Sequence, residues 1–280
     1  MGFPGLCAVV AGVRGPAPCI LPVHVRRTSL VVGCAASFSG AAGSRMGDAN
    51  TYWLVRHGRS RPNEAGIVIS LPENGVKPEH GLSRAGKDQA RRAGAMLVQQ
   101  MGSAGGSAAR NVHIYASDFS RARETAELVA SSAFGWPPGR VEVDVLLRER
   151  CFGRALEHQA DAPSYRGVWD VDARTSADDG YRVIEGDAGA GAEGGADADA
   201  GVESAWDVSE RVAAAMDAYE ARHQGSHVVL VSHGDLLSIL RATQRARQED
   251  CSSRQVLARH LAAHRDLALD NATLVPLGPW

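Results

Sequence analysis

Residues Tyr52 to Ser60 read Tyr-Trp-Leu-Val-Arg-His-Gly-Arg-Ser, an apolar run that ends in an Arg-His-Gly triplet. A short apolar run bounded by glycine and polar residues is typical of a buried strand. A second apolar run, His227 to Ser232, also leads into a histidine and a glycine, His233 and Gly234. Open α/β sheets bind ligands outside the carboxyl ends of their strands, so two strand-end histidines predict a site at that edge.

Strands alternate with helices along the rest of the chain. Further strands are predicted at 112–116, 141–147 and 272–277, and helices at 83–101, 119–134, 204–223, from 235 and near 254–265. Between the third strand and the 204–223 helix, the polar stretch 152–184 is expected to be mostly irregular. Strand–helix alternation implies a parallel sheet covered by helices. The sequence therefore predicts an α/β fold, three layers α/β/α, with a mostly parallel central sheet.

Both an N-terminal leader and an internal insert are predicted from composition. Residues 1–47 contain no Asp or Glu and carry four arginines among many small residues, as an organellar transit peptide does. The alternative is a disordered leader ahead of Met46. We expect a chloroplast location, with the mitochondrion and the cytoplasm as alternatives. Residues 186–201 are almost only Gly, Ala, Asp and Glu, which predicts a disordered insert within one domain over 50–280.

Charge and hydropathy exclude several classes of function. A net charge of −2 gives no general attraction to nucleic acid or to an anionic membrane surface. No window offers the long apolar run that a membrane-spanning helix needs. A hydrophobic fraction of 44% is sufficient for a full core. The sequence gives no indication of the oligomeric state.

Two further motifs lie between the histidines. Ser117 to Ala126 carries Arg121 where the second strand turns into its helix, and an arginine there can help the helix N–H groups to hold an anion. Leu147 to Gly153 follows the third strand and puts Glu149 at another strand exit. Each of four predicted strands is thus followed by a side chain that could bind an anion or transfer a proton to it.

Together these motifs resemble the histidine phosphatase superfamily, the phosphoglycerate-mutase-like proteins. The matches, in the family's order over about 51–277, are Arg56-His57-Gly58-x-Ser60-x-x-Asn63, Ser-x-x-x-Arg-Ala-x-x-Thr-Ala at 117–126, Leu-Arg-Glu-Arg at 147–150 and Ser-His-Gly at 232–234. The Arg-His-Gly-Arg-Ser-x-Pro-Asn-Glu version most resembles uncharacterised plant and algal members. The resemblance implies phosphoryl transfer with no metal or other cofactor.

The resemblance also implies a role for each matched residue. His57, as neutral imidazole, would be the nucleophile and carry a transient phosphohistidine. Glu149 would protonate the leaving oxygen and then deprotonate the attacking water. The groups expected to bind the phosphoryl oxygens are Arg56, Arg121 and a protonated His233, with hydrogen bonds from Ser60 and Asn63.

Several of these assignments have structural alternatives. If the helix register is misread by two residues, Arg123 and not Arg121 would be the arginine at the site. Glu149 lies between two arginines and could form a structural ion pair with one of them. Asp235 is a second candidate proton donor, although its position favours capping the following helix. Asn271-Ala272-Thr273 matches a glycosylation acceptor but falls on a predicted strand.

The region after the first motif separates hydrolysis from mutase chemistry. Cofactor-dependent mutases carry Phe-x-Gly-Trp-x-Asp there, and residues 64–75 lack it. We therefore expect a phosphomonoester hydrolase that acts on a small phosphorylated metabolite. The alternatives are a mutase-type transfer and a phosphate-binding module without turnover.

Overall fold

The computed structural model describes residues 49–103, 111–174 and 201–280. The leader predicted at 1–47 lies outside these residues, as does nearly all of the insert predicted at 186–201. Both stay predictions, and so does the chloroplast location. Among the described residues, no helix is long and apolar enough to cross a membrane.

A five-stranded sheet forms the centre of the molecule. Its strands are β1 (Thr51–Arg56), β2 (Val112–Ala116), β3 (Glu142–Val143), β4 (His227–Ser232) and β5 (Leu274–Leu277). They lie in the order β3-β2-β4-β1-β5, and the first four are parallel. β5 runs antiparallel to β1 at the edge. The sheet is therefore mostly parallel, as predicted.

Helices cover both faces of this sheet. Within the described residues they are α1 (Arg61–Ala65), α2 (Pro72–Gly75), α3 (Arg84–Ser103), α4 (Ser120–Phe134), α5 (Asp161–Arg174), α6 (Ala205–Arg222), α7 (Gly234–Asp250) and α8 (Arg254–Ala262). Side chains alternate along β1: Tyr52 and Leu54 pack with α6 and α7, whereas Trp53 and Val55 pack with α3 and α4. This alternation follows from the two-residue period of a strand. The three-layer α/β/α fold is confirmed.

Two predicted segments differ from the structure. The strand expected at 141–147 pairs only over Glu142–Val143, because the Asp144 carboxylate accepts from Leu146 N at 2.8 Å and caps a 3-10 turn over Val145–Leu147. The stretch expected to be irregular contains α5. Its inward residues Tyr165, Val168 and Trp169 have helical spacing, but they lie among charged residues, which hides the period.

The parallel strands bring the four motifs to one edge. His57 N–H donates to Ser232 O at 2.9 Å and Ser117 N–H donates to Val231 O at 3.1 Å, so the ladder extends one residue past β1 and β2. β1, β4, β2 and β3 are neighbours in that order. Their carboxyl ends therefore place four groups side by side. These are the loop 57–60, called the nucleophile loop after the role predicted for His57; His233; α4, called the arginine helix after Arg121; and Glu149.

The nucleophile loop interlocks with α3 through glycines. A Cβ added to Gly58 would lie 2.5 Å from the Gly86 carbonyl oxygen, and one added to Gly86 would lie 2.0 Å from the Arg59 carbonyl oxygen. Distances this short are sterically forbidden. The close approach of the two backbones therefore depends on glycine at both positions.

Gly86→Ala is expected to destabilise the fold, because overpacking of this kind costs about 1–3 kcal/mol. Gly102→Ala in the same helix is the matched control, since nothing lies within 4 Å of its added Cβ. We expect the control to gain up to about 1 kcal/mol in free energy of unfolding from helix propensity. Urea denaturation measures both values, and equal stabilities would contradict the interlocked packing.

Candidate active site

His57 is the buried residue that follows β1, and its hydrogen bonds define its tautomer. Nδ1 lies 2.8 Å from the Gly58 carbonyl oxygen, which can only accept, so the proton is on Nδ1. Arg121 Nε–H donates to Nε2 at 3.2 Å, so Nε2 presents a lone pair. A neutral imidazole that keeps its lone pair on Nε2 is the form that can act as a nucleophile.

Arg121 lies in the first turn of α4 and is buried, whereas Arg123 is exposed. The Arg121 guanidinium contacts His57 and donates from Nη2 to Ile69 O at 3.0 Å. The arginine brought to the nucleophile is therefore Arg121, as predicted, and the alternative register is wrong.

His233 lies beside His57, with ring centroids 5.1 Å apart in an edge-to-face arrangement. Its Nε2 lies 2.9 Å from Ser117 Oγ, and the same hydroxyl oxygen accepts from Phe119 N–H at 3.2 Å. We assign the hydroxyl proton to point at Nε2, which places the His233 proton on Nδ1. Neutral His233 can therefore donate a hydrogen bond from Nδ1.

Three buried donors of the site have no hydrogen-bond partner within the described residues: Arg56 Nε, Arg121 Nη1 and His233 Nδ1. Leaving a buried donor unsatisfied costs about 1–3 kcal/mol, and more for a charged group. Arg56 also donates from Nη1 to Leu269 O at 2.6 Å, and it packs 3.1 Å from where a Cβ of Gly234 would lie. Leu269 O and Ile69 O therefore each accept from one nitrogen of a guanidinium group. The donors without a partner, Arg56 Nε and Arg121 Nη1, can bind an anion.

Burial and positive charge keep both histidines neutral. Burial, and then the charges of Arg121 and Arg56, lower the pKa of His57 well below the usual range of histidine. Burial and the charge of Arg121 likewise lower the pKa of His233. The protonated His233 expected from sequence concerns the site with a bound phosphoryl group and stays a prediction, and burial disfavours that form in the free protein. The positive charge of the site comes from the two arginines, which stay cationic.

Glu149 follows the 3-10 turn after β3, and its carboxylate lies at the start of α7. Oε1 accepts from Arg150 N–H at 3.0 Å and from Leu236 N–H at 3.2 Å. Burial, and then the charge of Asp235, raise its pKa, while Arg121 and Arg56 oppose that rise. A carboxyl group with a raised pKa can hold the proton that a leaving group needs.

The arginines that flank Glu149 pair with other carboxylates. Arg148 forms a salt bridge of 2.6 Å with Asp118. Arg150 is fully buried and bonds both carboxylate oxygens of Asp172 and one of Asp235. The carboxylates that these two arginines bind are therefore Asp118, Asp172 and Asp235.

Ser60 and Asn63 interact mainly with each other. Ser60 is the N-cap of α1, and Asn63 Oδ1 accepts from both Ser60 N–H, at 3.2 Å, and Ser60 Oγ, at 3.0 Å. The Ser60 hydroxyl is thus engaged in the capping box. Within the described residues, Asn63 Nδ2 makes no hydrogen bond, so of the two side chains it is the one that keeps a free donor.

Asp235 has a different role from the helix cap that was predicted. His233 is the N-cap of α7, and the Asp235 carboxylate instead accepts from Arg150, from Trp169 Nε1 at 2.9 Å and from Arg265 at 3.1 Å. These bonds tie α5 to α7 beside Glu149. The carboxylate is thus the centre of a buried ion-pair network.

Two supporting residues were quoted in the motifs without a role. Ser117 orients His233, as described above. Thr125 Oγ1 accepts from Gly58 N–H at 3.0 Å and donates to Arg121 O at 2.7 Å, so it joins the nucleophile loop to the arginine helix. Both residues lie four positions from Arg121 within the 117–126 motif. This spacing was the sequence signal that could have identified them as supporting residues. Among the described residues, no cluster of three or more His, Cys, Asp or Glu could hold a metal ion.

Residues 52–277 match the family model of the histidine phosphatase superfamily (branch 1). The chain belongs to this superfamily. Solved structures with the same fold include a mycobacterial glucosyl-3-phosphoglycerate phosphatase complexed with VO3, 24% identical with a TM-score of 0.51, covering 81% of this chain and 90% of that one. A protein named mycobacterial hydrolase 1 has the same identity and TM-score, covering 81% of this chain and 88% of that one. No curated protein matches the chain significantly.

Ligand-induced stabilisation tests the anion site directly. Inorganic phosphate at about 100 times its Kd should raise the melting temperature by roughly 5–10 °C. Arg121→Ala removes a charged donor worth about 2–3 kcal/mol, so the rise should fall below roughly 2 °C at the same concentration. Exposed Arg123→Ala is the control and should keep the full rise. Differential scanning fluorimetry measures it, and equal rises in both variants would contradict the site.

Proposed function

We propose that this histidine phosphatase hydrolyses phosphomonoesters through a phosphohistidine on His57. The observation that carries the proposal is the Nε2 lone pair of buried, neutral His57 beside the unpartnered donors of Arg56, Arg121 and His233. Phosphoryl transfer requires a nucleophile and, next to it, hydrogen-bond donors that can bind the phosphoryl oxygens.

In the first step, Nε2 attacks phosphorus and the bond from phosphorus to the ester oxygen breaks. Glu149 gives its proton to that oxygen, so the alcohol leaves neutral and Glu149 becomes a carboxylate. The two guanidinium groups and the Nδ1–H of His233 stabilise the equatorial oxygens of the transition state. His57 then carries the phosphoryl group.

In the second step, a water molecule attacks the phosphorus of the phosphohistidine. The Glu149 carboxylate takes a proton from that water, and the bond between phosphorus and Nε2 breaks. Inorganic phosphate leaves, His57 is again neutral, and Glu149 again holds its proton. No external oxidant or acid is needed, because Glu149 returns to its starting state.

Hydrolysis of a small phosphorylated metabolite is the function that these features support best. The raised pKa of Glu149 favours a phosphatase over a binding module, since binding alone needs no proton donor. The lack of the mutase segment in residues 64–75 favours release to water over return to a bound intermediate. The match of residues 52–277 to the histidine phosphatase superfamily supports the same reaction class.

Chemical labelling tests the nucleophile. Brief incubation with a ³²P-labelled phosphomonoester, followed by denaturation, should trap label that is stable in alkali and lost in acid, as a phosphoramidate is. His57→Ala should trap none, because the attacking nitrogen is gone. Release of phosphate by the wild type with no trapped label under single-turnover conditions, or equal label in His57→Ala, would contradict the phosphohistidine.

Leaving-group dependence tests Glu149. Glu149→Gln should lower kcat/KM about 10²–10⁴-fold for an alkyl phosphate, and less than about tenfold for p-nitrophenyl phosphate, whose leaving group needs little protonation. The matched control is Glu210→Gln in α6, a carboxyl whose pKa is also raised by burial and by Asp207. It should keep both activities, and a uniform loss for both substrates in Glu149→Gln would contradict proton donation.

The pH profile follows from the two shifted groups. Because Glu149 must be protonated, kcat/KM should fall as the pH rises through its raised pKa. Because His57 must be neutral and its pKa is lowered, activity should persist at pH values where ordinary histidines are protonated. A profile that loses activity in the ordinary titration range of histidine on the acid side would contradict this assignment.

A further inference from the structure

The turn that precedes β5 lies outside the four motifs in the sequence, and it forms hydrogen bonds with the start of the nucleophile loop. Ala272 N–H donates to the carbonyl oxygens of Arg56, at 3.0 Å, and His57, at 3.2 Å. The Asn271 side chain donates from Nδ2 to the same His57 oxygen at 3.1 Å. The His57 carbonyl oxygen thus accepts two hydrogen bonds, one for each of its lone pairs.

The peptide that joins His57 to Gly58 is therefore held at both ends. Its oxygen accepts from Asn271 and Ala272, and its N–H donates to Thr125 Oγ1 at 3.0 Å. The imidazole is in turn bonded to the next carbonyl, that of Gly58. The direction in which Nε2 points consequently depends on how this peptide is oriented.

The same amide also orients Asn63. Asn271 Nδ2 lies 3.4 Å from Asn63 Oδ1, which already accepts from the backbone and hydroxyl of Ser60. Three donors around one atom identify it as the amide oxygen and turn the NH₂ group of Asn63 away from them. Asn271 thus acts on the nucleophile and on an expected phosphate ligand together.

Backbone strain marks this turn as well. Ala272 has φ 56°, in the left-handed region that disfavours residues with a Cβ. Its N–H nevertheless makes both bonds to the nucleophile loop. Strain of this kind persists where the surrounding structure determines the conformation, and it clusters at functional sites.

We propose that Asn271 is a positioning residue for phosphoryl transfer. Its side-chain amide holds the His57 peptide and the Asn63 amide in the orientation from which each meets the phosphoryl group. The expected effect on the reaction rate rests on the proposed function. It also gives the Asn271-Ala272-Thr273 sequence a role other than glycosylation, because the amide that a glycan would modify is hydrogen-bonded inside the fold.

Two substitutions separate hydrogen bonding from packing. Asn271→Asp keeps the shape but replaces the donor with an oxygen that faces the His57 carbonyl oxygen, whereas Asn271→Ala removes the side chain. If the amide positions His57, Asn271→Asp should lower the single-turnover rate of phosphohistidine formation at least about tenfold, and more than Asn271→Ala does. If Asn271 acts only by packing, Asn271→Ala should lower this rate more than Asn271→Asp does.

Asn50→Asp is the matched control. Asn50 is also half-buried, donates from Nδ2 to the His223 carbonyl oxygen at 2.8 Å, and lies at the opposite end of β1. The same chemical change there should leave the rate within about twofold of the wild type. A rate within twofold for Asn271→Asp too, or a larger loss in Asn271→Ala, would overturn the proposal.

A second readout is independent of turnover. In ¹⁵N-histidine NMR spectra of the free protein, Asn271→Asp should shift the imidazole nitrogens of His57, and Asn50→Asp should not. Unchanged His57 signals in Asn271→Asp would overturn the positioning role. A wild type that forms no phosphohistidine would instead overturn the proposed function, and the NMR comparison would still decide on Asn271.

Discussion

The structure depends on one electrostatic constraint at the carboxyl edge of the sheet. Two guanidinium groups and two imidazoles are buried together there, and Arg56 Nε, Arg121 Nη1 and His233 Nδ1 have no partner among the described residues. Desolvation disfavours every charged form in such a place, and the two arginines keep their charge because their pKa starts so high. The histidines give up their protons instead, as the lowered pKa values of His57 and His233 show. The same cluster therefore supplies both positive charge and a neutral imidazole.

Among the described residues, no carboxylate forms a salt bridge with Arg56 or Arg121. Backbone carbonyls of Ile69 and Leu269 bind the arginines without adding negative charge. The nearby Asp235 is occupied by Arg150 and other donors, so it does not form an ion pair with the site. Under the proposed function, a dianionic phosphoryl group satisfies these donors, and the same geometry would favour its transition state.

The fold and the central site residues could be predicted from sequence because both lie in short, local patterns. Apolar runs ending in histidine located the sheet edge, and motif order located Arg121 and Glu149. The supporting contacts could not be predicted, since they join residues far apart in the chain: Thr125 to the nucleophile loop, and Asn271 to the His57 carbonyl. The lowered pKa of His233 could not be predicted for a related reason, because it depends on burial and on charges brought together only by folding.

The central claim is that the free protein holds His57 as a neutral imidazole, protonated on Nδ1, with the Nε2 lone pair accepting from Arg121 beside the unpartnered donors. Long-range ¹H–¹⁵N NMR of the imidazole during a pH titration tests it most directly. The account predicts the Nδ1–H tautomer throughout the range in which ordinary histidines titrate, with no change in charge. Protonation of His57 within that range, or a proton on Nε2, would contradict it.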